Sequence, residues 1–479
     1  MAAKGRYGKL INNTAIIAAG QFGSKVLVYL LVRFYTSVLD TTEYSIASNV
    51  TEMATLLIPI ISLGIGEAVF RFAMDSSYLK KDVFTNGFIA FFGGSLLFLI
   101  IIPVLCFIPY FDGTVWLIVV YVVASILHSL CSQFIRARGQ FKLFAVQGFV
   151  NTALTIFFNI IFLLPLKMSY VGYVLSVACA DTLTMLFIFF GARLWQYFDF
   201  RAASGKTLRQ MLIYSIPMIP TTIFWWVTNV SDRYMVTFFK GNDVNGLYAA
   251  AYKIPTLLMV LSGIFVNAWR NSAVDEKDSS DYRIFFGKVF DAFSNIIFLI
   301  AAAITAFTPI ITRLMFAEAY YDAWIYIPIL TFAMIFFNFV SFTGSVYVVV
   351  KKTKWSFITS LAGAVTNIVL NLLLIPPFSA FGAAVATAAS FVVSFVFRLI
   401  TTRKMVNYPV NFAKMLTCIV LTLLQTVIMT ARQYLGVFGY IVQAILLLLV
   451  CAIVMPPLVR DFMKIIKGRS NARNEQQTE

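Results

Sequence analysis

Runs of apolar residues long enough to cross a bilayer, about 20 each at ~1.5 Å of helical rise per residue, alternate with short polar segments along the whole chain. They fall at 12–34, 44–66, 84–108, 114–135, 143–165, 170–192, 212–238, 246–268, 286–310, 325–350, 355–375, 381–401, 412–431 and 437–458. The pattern predicts an all-α polytopic membrane protein with fourteen transmembrane helices. The basic residues test that topology. Lys4, Arg6 and Lys9, then Lys80 and Lys81, Arg136 and Arg138, Arg201 and Lys206, Lys277 and Arg283, Lys351 and Lys352, Arg398, Arg403 and Lys404, and the C-terminal arginines all fall on one set of loops plus the two termini. The opposite loops hold Arg33, Lys167, Lys240, Arg313 and Arg432. By the positive-inside rule both termini are expected in the cytoplasm.

Composition agrees. Of the 479 residues, 60% are hydrophobic and 12% charged, and the mean hydropathy is +0.85. A water-soluble domain carries about twice that share of charge. The net charge of +16 is therefore read as a topology signal, and no nucleic-acid partner is expected. All five cysteines lie within apolar stretches and the chain has one histidine, His128. No metal site or nucleophile–base pair is expected, and His128 reads as a packed polar side chain. Ser204-Gly205-Lys206-Thr207 imitates the end of a phosphate-binding loop, but Phe200 stands where its first glycine is required. Every outward loop is short, so no soluble catalytic domain and no enzymatic activity are expected. The phenylalanines are read mostly as lipid-facing bulk.

Two pairs of segments align. Val32–Tyr35 through Tyr44–Ala47 matches Val236–Phe239 through Tyr248–Ala251 at an offset of 204, and Lys142, Asn159, Pro165 and Gly172 match Lys354, Asn371, Pro377 and Gly382 at 212, 212, 212 and 210. A six-helix unit repeated in the same orientation gives expected divisions at 1–205 (helices 1–6), 206–405 (helices 7–12), 406–467 (helices 13–14) and 468–479 (a polar, disordered tail). Two such lobes around a cavity are a transporter layout.

Charges at membrane depth cost at least about 2.5–3.5 kcal/mol each on insertion scales, so each asks for a reason. Counted along the helices, Lys25, Glu52, the pair Asp232-Arg233 and Lys253 fall in one layer, roughly 9–13 Å from the outer surface, with Asp181 somewhat deeper. Lys25, Arg233 and Lys253 are candidate contacts for an anionic substrate, and Arg71 and Arg270 occupy equivalent places at the cytoplasmic ends of helices 2 and 8. Glu52, Asp232 and Asp181 are candidate carriers of a coupling proton or sodium ion, or charge partners. Beyond such an ion no cofactor is expected. Pro217 and Pro220 mark a bend or an irregular start of helix 7, and Trp225-Trp226 stands beside its charged pair.

The segments Val32-Arg33-Phe34-Tyr35-Thr36-Ser37-Val38-Leu39 with Glu43-Tyr44, Leu57-Ile58-Pro59-Ile60, Phe70-Arg71-Phe72, Ser231-Asp232-Arg233-Tyr234-Met235 and Gly246 through Pro255 carry a family likeness. The chain resembles the bacterial oligosaccharide and O-antigen flippases of the polysaccharide transport family, within the multidrug/oligosaccharidyl-lipid/polysaccharide exporter superfamily. The resemblance implies two parallel six-helix lobes in a V, with two C-terminal helices packed beside them. It implies transfer of a polyprenyl-diphosphate-linked oligosaccharide to the outer leaflet of a bacterial plasma membrane by alternating access. Membrane lipids, a polysaccharide polymerase and other assembly proteins are the implied partners. A cation antiporter or a peptidoglycan-precursor flippase of the same fold, and a membrane glycan polymerase, are the alternatives.

Overall fold

The computed structural model describes residues 31–108, 111–275, 282–350 and 352–478. Lys25 lies outside the described residues, and within the helices the side chains of Arg270 and of residues 461–478 do too. Every regular element among the described residues is helical, and eleven helical segments are long and apolar enough to span a membrane. The protein is a multi-pass helical membrane protein. The chain divides into two compact units, one of residues 1–237 with 241–246 and the other of 238–240 with 247–479.

The first unit begins with α1 (31–38) and α2 (Thr41–Ile61). Asp40 starts α2 with a capping box: its side chain accepts the Glu43 N–H, and Glu43 accepts the Asp40 N–H in return. The helix stops at Ser62-Leu63-Gly64, where Leu63 and Gly64 take φ of 52° and 65°, and resumes as α3 (Ile65–Met74). The Ser215 hydroxyl holds that turn by donating to the Leu63 carbonyl at 2.7 Å.

Then come α4 (Lys80–Ser95), α5 (Phe98–Cys106), α6 (Val115–Ala137), α7 (Phe141–Leu163) and α8 (Ser169–Gly191). Next are α9 (Gly205–Ser215) and α10 (Ile219–Lys240). Pro217 sits in a single 3₁₀ turn between α9 and α10, and Pro220 in the first turn of α10. Both prolines therefore mark an irregular helix start, where their missing N–H groups cost nothing. The Ser204–Thr207 segment is explained locally. Asp82 of α4 accepts the Ser204 N–H and the Thr207 hydroxyl at 2.8 and 2.6 Å, which caps the start of α9.

The second unit holds α11 (Asn242–Asp275), whose first residues belong to the first unit. It continues with α12 (Tyr282–Ala306), α13 (Thr308–Met315), α14 (Ile327–Thr343) and α15 (Ser345–Val349), and ends with α16 (Thr353–Met405), α17 (Phe412–Thr430) and α18 (Arg432–Thr478). In the span that begins with α14, 89% of an 18-residue apolar stretch is buried. Around α14 the core is built largely from phenylalanine: Phe286, Phe290, Phe293, Phe298, Phe336, Phe339 and Phe342 are all buried. Phe342 stacks on Trp269 and Phe293 with ring centroids 5.2 and 5.1 Å apart. These seven of the 48 phenylalanines pack helix against helix instead of facing lipid. Apolar composition cannot separate a ring against lipid from one against a neighbouring helix, because both surroundings are apolar.

The second alignment has a structural counterpart. α7 and α16 start 212 residues apart, and Lys167 and Ser379, also 212 apart, both take positive φ (47° and 57°) where the chain turns back after its paired apolar segment. Pro376 and Pro377 precede the second of these breaks.

Arg398 stands in the loop charge by sequence, yet it is 2% exposed on α16. It donates to the Thr359 hydroxyl at 3.0 Å, the Val340 carbonyl at 2.7 Å and the Ser360 hydroxyl at 3.0 Å. A guanidinium braced by several acceptors ties α14 to both arms of α16. Arg398→Met is expected to cost roughly 3 kcal/mol or more through the lost charge-assisted bonds, read as a lower melting temperature of the detergent-purified protein; an unchanged melt would show that the brace carries no weight.

Candidate functional site

Along α2 the residues Thr41, Thr42, Ser45, Ser48, Asn49 and Glu52 recur at helical spacing, so most of them share one face. On α10 the same holds for Trp226, Arg233, Tyr234 and Thr237. These faces meet. Arg233 donates through Nη1 to Glu52 Oε1 at 2.7 Å and to the Ser48 hydroxyl at 3.3 Å. Trp226 Nε1 donates to the Glu52 carbonyl at 2.8 Å, the Tyr234 hydroxyl to the Asn49 carbonyl at 2.5 Å, and Asn49 Nδ2 to Thr237 Oγ1 at 3.0 Å.

The seam continues into the start of α11. Ser45 donates to Asn242 Oδ1 at 3.1 Å and accepts from Asn245 Nδ2 at 2.8 Å. Asp243 accepts the Thr41 hydroxyl at 3.0 Å and the Thr42 hydroxyl. Those two hydroxyls hold the exposed Asp243 carboxyl below its usual range. A depressed carboxylate keeps its tie at neutral pH and loses it only on strong acidification.

The Glu52–Arg233 pair is the electrostatic centre of the seam. The Arg233 side chain is 6% exposed and that of Glu52 25%, so the guanidinium is enclosed while its carboxylate partner keeps a face to the outside. Asp232 is fully buried, and its Oδ1 accepts the Arg233 backbone N–H at 2.9 Å. Trp226 fixes the Glu52 backbone and packs 5.5 Å from the Tyr234 ring, which gives it a bracing role in the seam.

The remaining candidates lie elsewhere. Arg71 is exposed on α3, and Lys253 is partly buried on α11, where its carbonyl accepts the Thr256 hydroxyl at 2.8 Å. Arg270 lies on α11 with its side chain outside the description.

Asp181 forms a second cluster within the same unit. It accepts from the Ser125 hydroxyl at 2.5 Å, Asn151 Nδ2 at 2.8 Å and His128 Nδ1 at 3.0 Å. Gln147 Oε1 faces the other ring nitrogen of His128 at 2.7 Å. The sequence reading gives His128 no particular partner; the structure gives it Asp181. Residues 128 and 181 sit on different helices, and only the rotation of α6 against α8 brings them together. Among the searched residues no group of three or more His, Cys, Asp or Glu is placed to hold a metal ion.

The chain is similar in fold to several solved transporters. The lipid II flippase MurJ in an inward closed conformation aligns at 14% identity with a TM-score of 0.68, covering 94% of this chain and 100% of that one. A multidrug resistance MATE family transporter of the MOP superfamily in an inward-facing conformation aligns at 14% identity with a TM-score of 0.64, covering 81% of this chain and 98% of that one. A MATE protein in a straight conformation aligns at 14% identity with a TM-score of 0.59, covering 83% and 95%. No curated protein matches the sequence. The family model described as "Polysaccharide biosynthesis protein" matches residues 10–269, more than half of the chain and the whole α2–α10 seam. The chain belongs to the polysaccharide biosynthesis protein family.

Proposed function

We propose that this protein moves a polyprenyl-diphosphate-linked oligosaccharide from the cytoplasmic to the outer leaflet of a bacterial plasma membrane by alternating access, as a step in surface polysaccharide assembly. The observation that carries this reading is Arg233: a guanidinium enclosed on a helix long and apolar enough to span the membrane, held by a carboxylate rather than replaced by an apolar side chain. Arginine presents a fork of donors that matches phosphate oxygens two at a time. A diphosphate can take the place of the Glu52 carboxylate on it without leaving the guanidinium unpaired. Membership of a polysaccharide biosynthesis family supports a saccharide-bearing cargo.

In this reading Lys25, Arg71, Lys253 and Arg270 are further contacts for the headgroup phosphates. Glu52, Asp232 and Asp181 hold these cations in place or carry the coupling ion. The protein acts as a transporter and makes or breaks no covalent bond.

Deleting the gene tests the cargo. Loss of one surface glycan with its lipid-linked repeat unit accumulating in the inner leaflet is the expected outcome. Short unpolymerised glycan reaching the surface would indicate a polymerase, and drug sensitivity with intact glycan an antiporter. Lysis with accumulated peptidoglycan precursor would reassign the cargo to that lipid.

A further inference from the structure

The second unit holds a cavity of about 730 Å³ where α12, α17 and α18 pack together, within the ~300–1,000 Å³ range of ligand clefts. It is separate from the α2–α10 seam and from the His128 cluster. Three candidate spans begin or end beside it. Lys288 lies in the second turn of α12, Asn411 caps α17, and Arg460 ends the apolar span of α18. The cavity therefore sits at headgroup level, on the side whose loop charges read as cytoplasmic.

Backbone contacts fix its rim. Gly287 admits the segment that leads into α17, since a Cβ on it would stand 2.6 Å from Pro409 Cγ and 2.7 Å from the Pro409 carbonyl oxygen. Asn411 closes the next turn by accepting the Lys414 N–H at 3.1 Å.

The chemistry of the lining is mixed. Lys288, Lys414 and Arg460 stand with a single carboxylate, Asp291, among the described residues that line the cavity. Lys414 pairs with Asp291, so Lys288 and Arg460 leave an excess of positive charge. The positive end of α17 adds to it. One turn further along α12, Asn295 is 1% exposed and donates through Nδ2 to Asp291 Oδ2 at 3.5 Å. Its Oδ1 accepts from no group among the described residues. An enclosed amide oxygen without a donor is rare, and this one asks for a donor from outside the chain. Phe265 and Phe285 line the cavity too and remain 37% and 39% exposed, which gives it an open apolar flank.

We infer that this cavity holds an anionic glycerophospholipid of the phosphatidylglycerol type. Its phosphate meets Lys288 and Arg460, a headgroup hydroxyl donates to the Asn295 and Asp291 oxygens, and its acyl chains run along Phe265 and Phe285. Basic pockets between spans at the cytoplasmic surface suit such headgroups. Phosphatidylethanolamine fits less well, because its ammonium adds to a lining that is already basic. The lipid fastens α12 to α17 and α18 within one unit. It is not the cargo, and the inference stands whatever the protein transports.

Native mass spectrometry of the full-length protein released from detergent tests this, with phosphatidylglycerol and phosphatidylethanolamine of identical chains as probes. Phosphatidylglycerol should bind the first site at least about tenfold more tightly. Lys288 and Arg460 are both exposed, so Lys288→Ala with Arg460→Ala should leave the fold intact and remove that preference. Lys80→Ala with Lys81→Ala takes away the same charge at another helix end and should keep it. Equal binding of the two lipids by the unaltered protein overturns the site. Equal loss in both double variants also overturns it, as diffuse attraction would act at either helix end. Thermal melting separates the lipid from a free anion: phosphatidylglycerol should raise the melting temperature and inorganic phosphate should not. A matching rise with inorganic phosphate would assign the cations to a soluble anion and overturn the lipid.

Discussion

Arg233→Ala is expected to abolish surface glycan export and to destabilise the first unit. The substitution leaves the Glu52 carboxylate in the seam without the guanidinium that it contacts at 2.7 Å. Breaking a fully buried pair costs about 3–5 kcal/mol, and the 25% exposure of Glu52 places this case at the low end. Loss of export alone would not separate a headgroup contact from a brace. The exchange variant Glu52→Arg with Arg233→Glu does: it restores opposite charges at the same two positions but moves the cation from α10 to α2. Thermal stability and membrane yield should return toward those of the unaltered protein while export stays absent. Export restored together with stability would show that the pair only holds helices, and would remove Arg233 from the headgroup site. Arg233→Lys should fall between, because an ammonium reaches Glu52 without offering the two-pronged geometry.

The seam was legible in the sequence to an unusual depth because charge is so scarce in these helices. Counting ~1.5 Å per residue from the loop charges put Glu52 and Arg233 in one layer, and the structure joins them. Depth is a one-dimensional quantity that a sequence carries. Rotation about the helix axis is not, and the misses follow that division. The contact of His128 with Asp181 needs the faces of α6 and α8, and the neutral partners Ser48 and Asn49 gave no signal of their own. Arg398 failed for a different reason. It lies near the end of an apolar run, where a charge facing the headgroups and one bent back among Thr359, Ser360 and the Val340 carbonyl look alike. The paired breaks at Lys167 and Ser379 were visible through their flanking prolines and the offset of 212, because prolines and turns punctuate a chain locally.

The second large effect is expected from a residue with no side chain. Gly246 lies where the start of α11 crosses the first turn of α2, and a Cβ built on it would overlap the Thr41 carbonyl oxygen and stand 2.7 Å from the carbonyl carbon and 3.0 Å from the Cα. These are backbone atoms within the capped turn of α2, held by the Asp40–Glu43 box, so no rotamer change relieves the clash and one helix must move. Overpacking of this kind costs about 1–3 kcal/mol. Gly246→Ala should reach the upper part of that range, because the same displacement pulls Asn245 from Ser45 and Asp243 from Thr41 and Thr42. The expected signature is a lower melting temperature together with faster amide hydrogen exchange in the first turn of α2, and export should fall with it as the seam loses its register. Gly205→Ala is the matched control: nothing lies within 4 Å of its Cβ position, and alanine favours the helix that starts there, so stability should hold or rise slightly. Equal melting temperatures for the two variants would mean that α2 and α11 are not in close contact at this crossing, and the polar seam would lose the backbone constraint that sets Arg233 against Glu52.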